Sequence, residues 1–247
     1  FGRGGPGFVY RIEVEPLGRR VAVTADLGAR TLPRGGGLAI PLTVERRGFD
    51  GAVTVLAGVL PPGISAAPTT VPAKAQKGVL VLTAAADAPL GPFPLTLAVR
   101  DVPGSVEVAF LERGRDLPMP VESGAAPLAV AEPTPLGVAL EPRELTVAPG
   151  GQAEVQVTLE RRGESARKGV KLRLLAGDGA LDGFEPVKEV TLAANATSST
   201  WTLKAKPDAA PRRVALTVRA WFDGAPDGLG VDAEPATLVV PEHPGGP

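Results

Sequence analysis

Leu32-Pro33-Arg34-Gly35-Gly36 runs through Ile40, Leu42 and Val44 into Glu45-Arg46-Arg47-Gly48. The same pattern returns as Val147-Ala148-Pro149-Gly150-Gly151, then Val155, Val157 and Leu159, then Glu160-Arg161-Arg162-Gly163. Each position is displaced by 115 residues, as from Glu45 to Glu160. A repeat of that length means two copies of one domain-sized unit. A second set of blocks is displaced by 121: Thr70-Val71-Pro72-Ala73 returns as Thr191-Leu192-Ala193-Ala194, and Leu82 returns as Leu203. Asp87-Ala88 returns as Asp208-Ala209, and Leu95-Thr96-Leu97 as Leu216-Thr217-Val218. The six additional residues are expected to extend the turn holding Glu164, Ser165, Ala166, Arg167 and Lys168.

The matched blocks alternate. Leu38, Ile40, Leu42 and Val44 face one way, and Ala39, Pro41, Thr43 and Glu45 the other; Val155, Val157 and Leu159 alternate likewise with Glu154, Gln156, Thr158 and Glu160. A period of two marks half-buried strands. Val79–Thr83, Thr200–Leu203, Phe93–Val99 and Val214–Trp221 have the same character, and no segment carries an apolar stripe at helical spacing. With 31 Gly and 27 Pro punctuating short apolar runs, each copy gives about seven strands. The expected fold is all-β: two tandem immunoglobulin-like or fibronectin-like antiparallel β-sandwiches. Residues 17–131 form the first, 132–135 a stiff Pro-bearing linker, 136–241 the second and 242–247 a tail. Residues 101–126 lack a counterpart and are expected to form a long hairpin excursion before a closing strand at Leu128–Val130.

The formal charge of −1 provides no field for nucleic acid or an anionic membrane. No apolar run approaches the roughly 20 residues that span a bilayer. The absence of cysteine excludes disulfides and thiolate metal sites. The chain begins at Phe1 without a Met or signal peptide, and is expected to be an internal fragment.

Residues 1–16 stand outside the repeat. Gly4-Gly5-Pro6-Gly7-Phe8-Val9-Tyr10-Arg11-Ile12-Glu13-Val14 resembles the closing strand of bacterial pre-peptidase C-terminal domains. The stretches Val44–Ser65 and Leu82–Val99 resemble the immunoglobulin-like modules beside such domains in large secreted bacterial proteins. The second copy departs by carrying Leu181-Asp182-Gly183-Phe184 in place of Leu60-Pro61-Pro62-Gly63-Ile64. The resemblance implies an exported, non-catalytic accessory region, secreted, at the cell surface or periplasmic, and supplies no binding residues.

Candidate chemistry is sparse. Gly2-Arg3-Gly4-Gly5-Pro6-Gly7 satisfies G-x-G-x-x-G, but it leads into a strand rather than a helix and reads as a turn. The single histidine, His243, lies in the tail, so Ser–His catalysis and a zinc site both lack their residues. Asp178 and Asp182 flank a Gly, and Asp223, Asp227 and Asp232 share one Gly-rich hairpin. These loops read either as calcium ligands or as ordinary Asp-Gly turns. Trp201 aligns with Leu80 and is expected in the core. Trp221 aligns with Arg100 and, with Phe222, is either a sugar-stacking platform or packing under a loop. Arg46-Arg47 and Arg161-Arg162 are anion contacts or solvated strand ends, and Asn195-Ala196-Thr197 fits a glycosylation acceptor. The expected function is that of a structural or adhesive spacer with no cofactor, its partners being neighbouring domains of the same polypeptide. The alternative is a carbohydrate- or protein-binding module, with a cell-surface protein or glycan as partner. An enzyme comes third.

Overall fold

The computed structural model describes residues 18–28, 31–113, 118–121, 124–163, 167–177, 180–226 and 230–242. The first unit begins with β1 (Arg20–Ala25), β2 (Leu32–Pro33), β3 (Gly37–Arg47) and β4 (Val53–Ala57). It continues with β5 (Ile64–Ala66), β6 (Thr69–Val71), β7 (Lys77–Ala84) and β8 (Gly91–Leu95). β9 (Leu97–Arg100), β10 (Ser105–Arg113), β11 (Pro118–Val121) and β12 (Ala126–Ala131) complete it. The second unit comprises β13 (Leu136–Glu141), β14 (Glu144–Thr146), β15 (Gln152–Arg161), β16 (Val170–Ala176) and β17 (Val190–Leu192). β18 (Ser198–Lys204), β19 (Arg212–Phe222), β20 (Val231–Asp232) and β21 (Ala236–Val240) follow. Both units are antiparallel β-sandwiches of immunoglobulin-like type. One sheet of each pairs its first, third and seventh strands or their equivalents (β1-β3-β7 and β13-β15-β18), and the other carries the closing strand.

The repeat is visible in the registers. Ile40 lies opposite Leu80 in the first unit, and Val155 opposite Trp201 in the second. Those pairs differ by the two displacements, 115 and 121, that the sequence carries. Likewise Val21 faces Arg46 where Leu136 faces Arg161. The six additional residues are not gathered in the Glu164–Lys168 turn. Val55 corresponds to Leu172 through their partners Val99 and Ala220, so two have entered by that strand. Gly63 corresponds to Gly183, which adds three, and Thr70 to Thr191 adds the last. A turn absorbs an insertion wherever no ladder bond is broken, and several short turns satisfy that condition equally.

The divergent segments Leu60–Ile64 and Leu181–Phe184 hold one conformation. Gly63 and Gly183 both have positive φ (76° and 78°). Each accepts a backbone hydrogen bond on its carbonyl, from Ala85 and Lys206 respectively. A Cβ on either would meet a backbone Cα, that of Ala88 at 3.1 Å or of Ala209 at 2.9 Å. Glycine is retained there for both reasons.

Each unit buries its own cluster, built mainly from Val, Leu and Ala with few aromatics. A buried Leu, Ile or Val contributes about 1.5–3 kcal/mol, so aliphatic packing alone sustains units of this size. Trp201 is buried in the second cluster, as its alignment with Leu80 predicts.

The copies differ most where the sheet turns back towards its closing strand. In the first unit the excursion forms the expected hairpin, β10 with β11. β10 lies parallel to β1 and covers its edge, with Val21 opposite Val106 and Ala25 opposite Phe110. In the second unit the shorter excursion contributes β20 instead. That strand pairs with β19 and, through Asp232 opposite Gly37, with β3 of the first unit.

Candidate functional site: the joint between the units

The outer faces of corresponding strands differ in polarity. β3 presents Gly37, Ala39 and Pro41 where β15 presents Gln152, Glu154 and Gln156. β7 presents Val79 and Val81 where β18 presents Thr200 and Thr202. An apolar outer face on one copy of a repeat requires a cover, and the second unit provides it. Ala39 and Val81 are buried, and Gly78 and Val79 line a narrow gap closed from the other unit by Gly177, Val214 and Ala215.

The facing surface of the second unit is the outer side of β19. Thr217, Arg219 and Trp221 alternate along it and all are buried. Arg219 donates from Nε to Asp232 Oδ1 at 2.7 Å and from Nη2 to Oδ2 at 2.8 Å. Its side chain is 10% exposed and that of Asp232 only 1%. Asp232 Oδ2 also accepts the backbone N–H of Ala39 at 2.7 Å, and Arg219 Nη2 reaches the Ala39 carbonyl at 3.5 Å. The ion pair of one unit therefore satisfies both backbone polar groups of a residue in the other. Thr217 Oγ1 donates to the Ala233 carbonyl at 2.6 Å and holds the strand that carries Asp232. Gly37 completes the contact. A Cβ there would lie 2.8 Å from the Asp232 carbonyl oxygen and 3.0 Å from that of Ala233. Charge pairs of this bidentate form are directional, so they fix how two surfaces meet.

Of the residues singled out by sequence, Asp232 lies in this joint. Asp232, a calcium candidate from sequence, is bonded by Arg219 and the backbone N–H of Ala39. Asp223 pairs with Lys171 at 3.2 Å on the surface. Asp182 is exposed beside an open cleft of about 580 Å³ that Lys74 and Arg212 also line. Asp178 and Asp227 lie outside the described residues, as do residues 1–17 and His243. Among the described residues, no three His, Asp or Glu side chains come together as a metal-binding group.

Trp221 is 5% exposed and carries the Arg173 guanidinium 5.0 Å from its ring centre. Arg173 is held in turn by Glu189 at 2.9 Å. A ring covered in this way offers no stacking face for a sugar. Phe222 is half-buried, with Lys168 Nζ 5.6 Å from its ring.

The arginine pairs divide their labour. Arg46 bonds the carbonyls of Gly51, Ala75 and Pro72 (3.3 Å to Gly51, 3.0 Å to Pro72). Arg161 bonds those of Ala196 at 3.0 Å, Lys168 at 2.5 Å and Ala193 at 3.3 Å. Ala75 and Ala196, like Pro72 and Ala193, are equivalent positions, so the first arginine of each pair clasps the same loops in both units. Burial lowers the pKa of both guanidinium groups, opposed at Arg46 by Asp50. The second arginine of the later pair lies outside and bonds Glu160 at 2.9 Å. Hydrogen bonding and charge from Arg162 hold the Glu160 carboxyl below the usual range, opposed by slight desolvation. Sequence reading missed both clasps and the joint. The signal for the joint was present in the Gly-Ala-Pro face of β3 set against Gln-Glu-Gln.

No family model matches the chain, and no curated protein does. Solved structures are similar to the chain at low identity. Fibronectin(III)-like modules of CbhA from Clostridium thermocellum are 16% identical, with 91% of this chain and 99% of that one covered and a TM-score of 0.27. The Escherichia coli adhesin FdeC is 12% identical, with 90% and 64% covered and a TM-score of 0.26. A conjugative transposon lipoprotein from Bacteroides eggerthii is 14% identical, with 42% and 96% covered and a TM-score of 0.31.

Proposed function

We propose that this chain is a non-catalytic spacer: two sandwiches welded into one rigid piece that sets the distance and direction between neighbouring domains of an exported bacterial protein. The units are residues 17–131 and 136–241. The observation that carries the reading is the buried Arg219–Asp232 pair bonded to both backbone groups of Ala39. A flexible tether between independent domains needs neither a buried charge nor a glycine shaped to the other unit's backbone. The resemblance of Val44–Ser65 to modules of large secreted proteins is in keeping with a mechanical role. No helix among the described residues is long and apolar enough to cross a membrane. A carbohydrate-binding alternative would require an exposed aromatic face, and Trp221 is covered.

The test is a distance distribution. The chain has no cysteine, so Val59→Cys and Lys188→Cys, both at exposed positions, accept spin labels site-specifically. A single narrow distribution that broadens in Asp232→Ala supports the spacer. A broad distribution in the otherwise unaltered chain overturns it.

A further inference from the structure

The two units treat their first strands differently. In the first, the backbone bond from Asp26 to Pro41 sets the ladder phase of β1 against β3. That phase turns the amides and carbonyls of Val21, Val23 and Ala25 towards β10, which takes them up in parallel pairing. In the second, the bond from Arg162 to the Pro135 carbonyl sets the same phase for β13 against β15. Leu136, Val138 and Leu140 therefore turn theirs away from β15. Thr134 Oγ1 donates to the Leu136 carbonyl at 2.5 Å, and among the described residues no strand pairs with that side.

Sheet edges are normally protected by proline, lysine or a cover. β11, the terminal strand on the first unit's edge, contains Pro118 and Pro120. β13 reads Leu-Gly-Val-Ala-Leu-Glu, with neither device. Beside it lies a cleft of about 410 Å³, bounded by Leu136, Val138 and Arg162 on one side and by Arg34 and Gly36 of the first unit on the other. In the first unit the equivalent cleft is smaller, about 200 Å³, and Glu107 and Ala109 of β10 form part of its lining.

We infer that the edge of β13 is a docking site for an extended peptide segment of a partner protein, which adds a parallel strand where β10 adds one to β1. The first unit defines the chemistry of that segment. Glu107, opposite Ala22, pairs with Arg20, and Phe110, opposite Ala25, is buried. Displaced by 115 residues, those positions fall opposite Gly137 and Leu140. The cleft holds two arginines, Arg34 and Arg162, against one unburied acid, Glu160, which Arg162 already binds. The docked segment therefore carries an acidic residue opposite Gly137 and a large apolar residue three positions on, opposite Leu140. Main-chain bonds supply affinity in such a mode and alternate side chains supply specificity.

The probe is the β10 sequence itself, a synthetic peptide of residues Ser105–Arg113, added to the intact chain and followed by fluorescence anisotropy and amide hydrogen exchange. The expected result is saturable binding with new protection at Val138 and Leu140. Val138→Pro removes an outward N–H without touching the β13–β15 ladder, and is expected to weaken binding at least about tenfold, or 1.4 kcal/mol. A peptide bearing lysine at the Glu107 position is expected to bind more weakly. Protection in the unsubstituted chain decides the matter even where Val138→Pro fails to fold. Absence of binding, or protection appearing at Val21 and Val23 through exchange with the chain's own β10, overturns the inference. So does self-association of the chain that Val138→Pro abolishes, since a second copy would then be the occupant. None of these outcomes depends on whether the two units move as one, which the spin-label distances report separately.

Discussion

Asp232 Oδ2 accepts the backbone N–H of Ala39 at 2.7 Å across 193 residues of chain. The same carboxylate is held by Arg219 at 2.7 and 2.8 Å. The charge pair belongs to the second unit and its third partner to the first, so the geometry that stabilises the ion pair also fixes the orientation of the units.

Removing one member of this pair leaves the other buried without compensation. Asp232→Ala is expected to destabilise the joint by about 3–5 kcal/mol. The double variant Arg219→Met/Asp232→Leu is expected to cost distinctly less, because no charge is stranded. Denaturant unfolding of the parent, Asp232→Ala and the double variant measures the difference, and equal losses in the single and double variants would refute it.

Gly37→Val places side-chain atoms where the Asp232 carbonyl stands. It is expected to open the joint, broadening the inter-unit distances and exposing Val81 and Ala39. Gln152→Val, at the equivalent position of β15, has no unit packed on it and is expected to stay within about 0.5 kcal/mol of the parent. Small-angle scattering with thermal unfolding distinguishes them.

Arg46→Ala and Arg161→Ala each release several loop carbonyls. Hydrogen bonds to charged groups contribute about 1.5–3 kcal/mol, and partial exposure reduces what is lost, so each variant is expected to lose about 2 kcal/mol. Arg47→Ala and Arg162→Ala are expected to fall within about 0.5 kcal/mol. Equal losses along each pair would show that the clasps do not hold these loops.

Glu160 is held below the ordinary carboxylate range by its bond to Arg162. A depressed folded-state pKa contributes stability above the unfolded value, and that contribution is lost as the pH falls through the folded one. Because the Glu160 side chain is largely exposed, the stability change is small and the titration itself is the readout. Carbon-detected NMR is expected to show Glu160 titrating below the ordinary carboxylate range, with the depression abolished in Arg162→Ala.

Much of the fold was legible because alternation and repetition are local properties. The equivalence of Ile40 with Val155 and of Leu80 with Trp201 follows from matching two blocks, since a strand's period fixes which residues can share a face. Trp201 falls in the core for the same reason. The insertion was misplaced because turns leave no periodic trace, and the arginine clasps were hidden because carbonyl acceptors have no sequence signature.

The sequence by itself determined two β-sandwiches and their aliphatic cores, because a period of two and a repeated pattern specify which residues share a face within a unit. Tertiary structure alone decided what the outer faces do. Gly37, Ala39 and Val81 announce only that something covers them. That the cover is β19, with Arg219 and Asp232 at its centre and Trp221 sealed beside it, depends on contacts across some 180 to 190 residues. No local pattern encodes them, because a buried charge is acceptable only once the whole chain has brought its partners together.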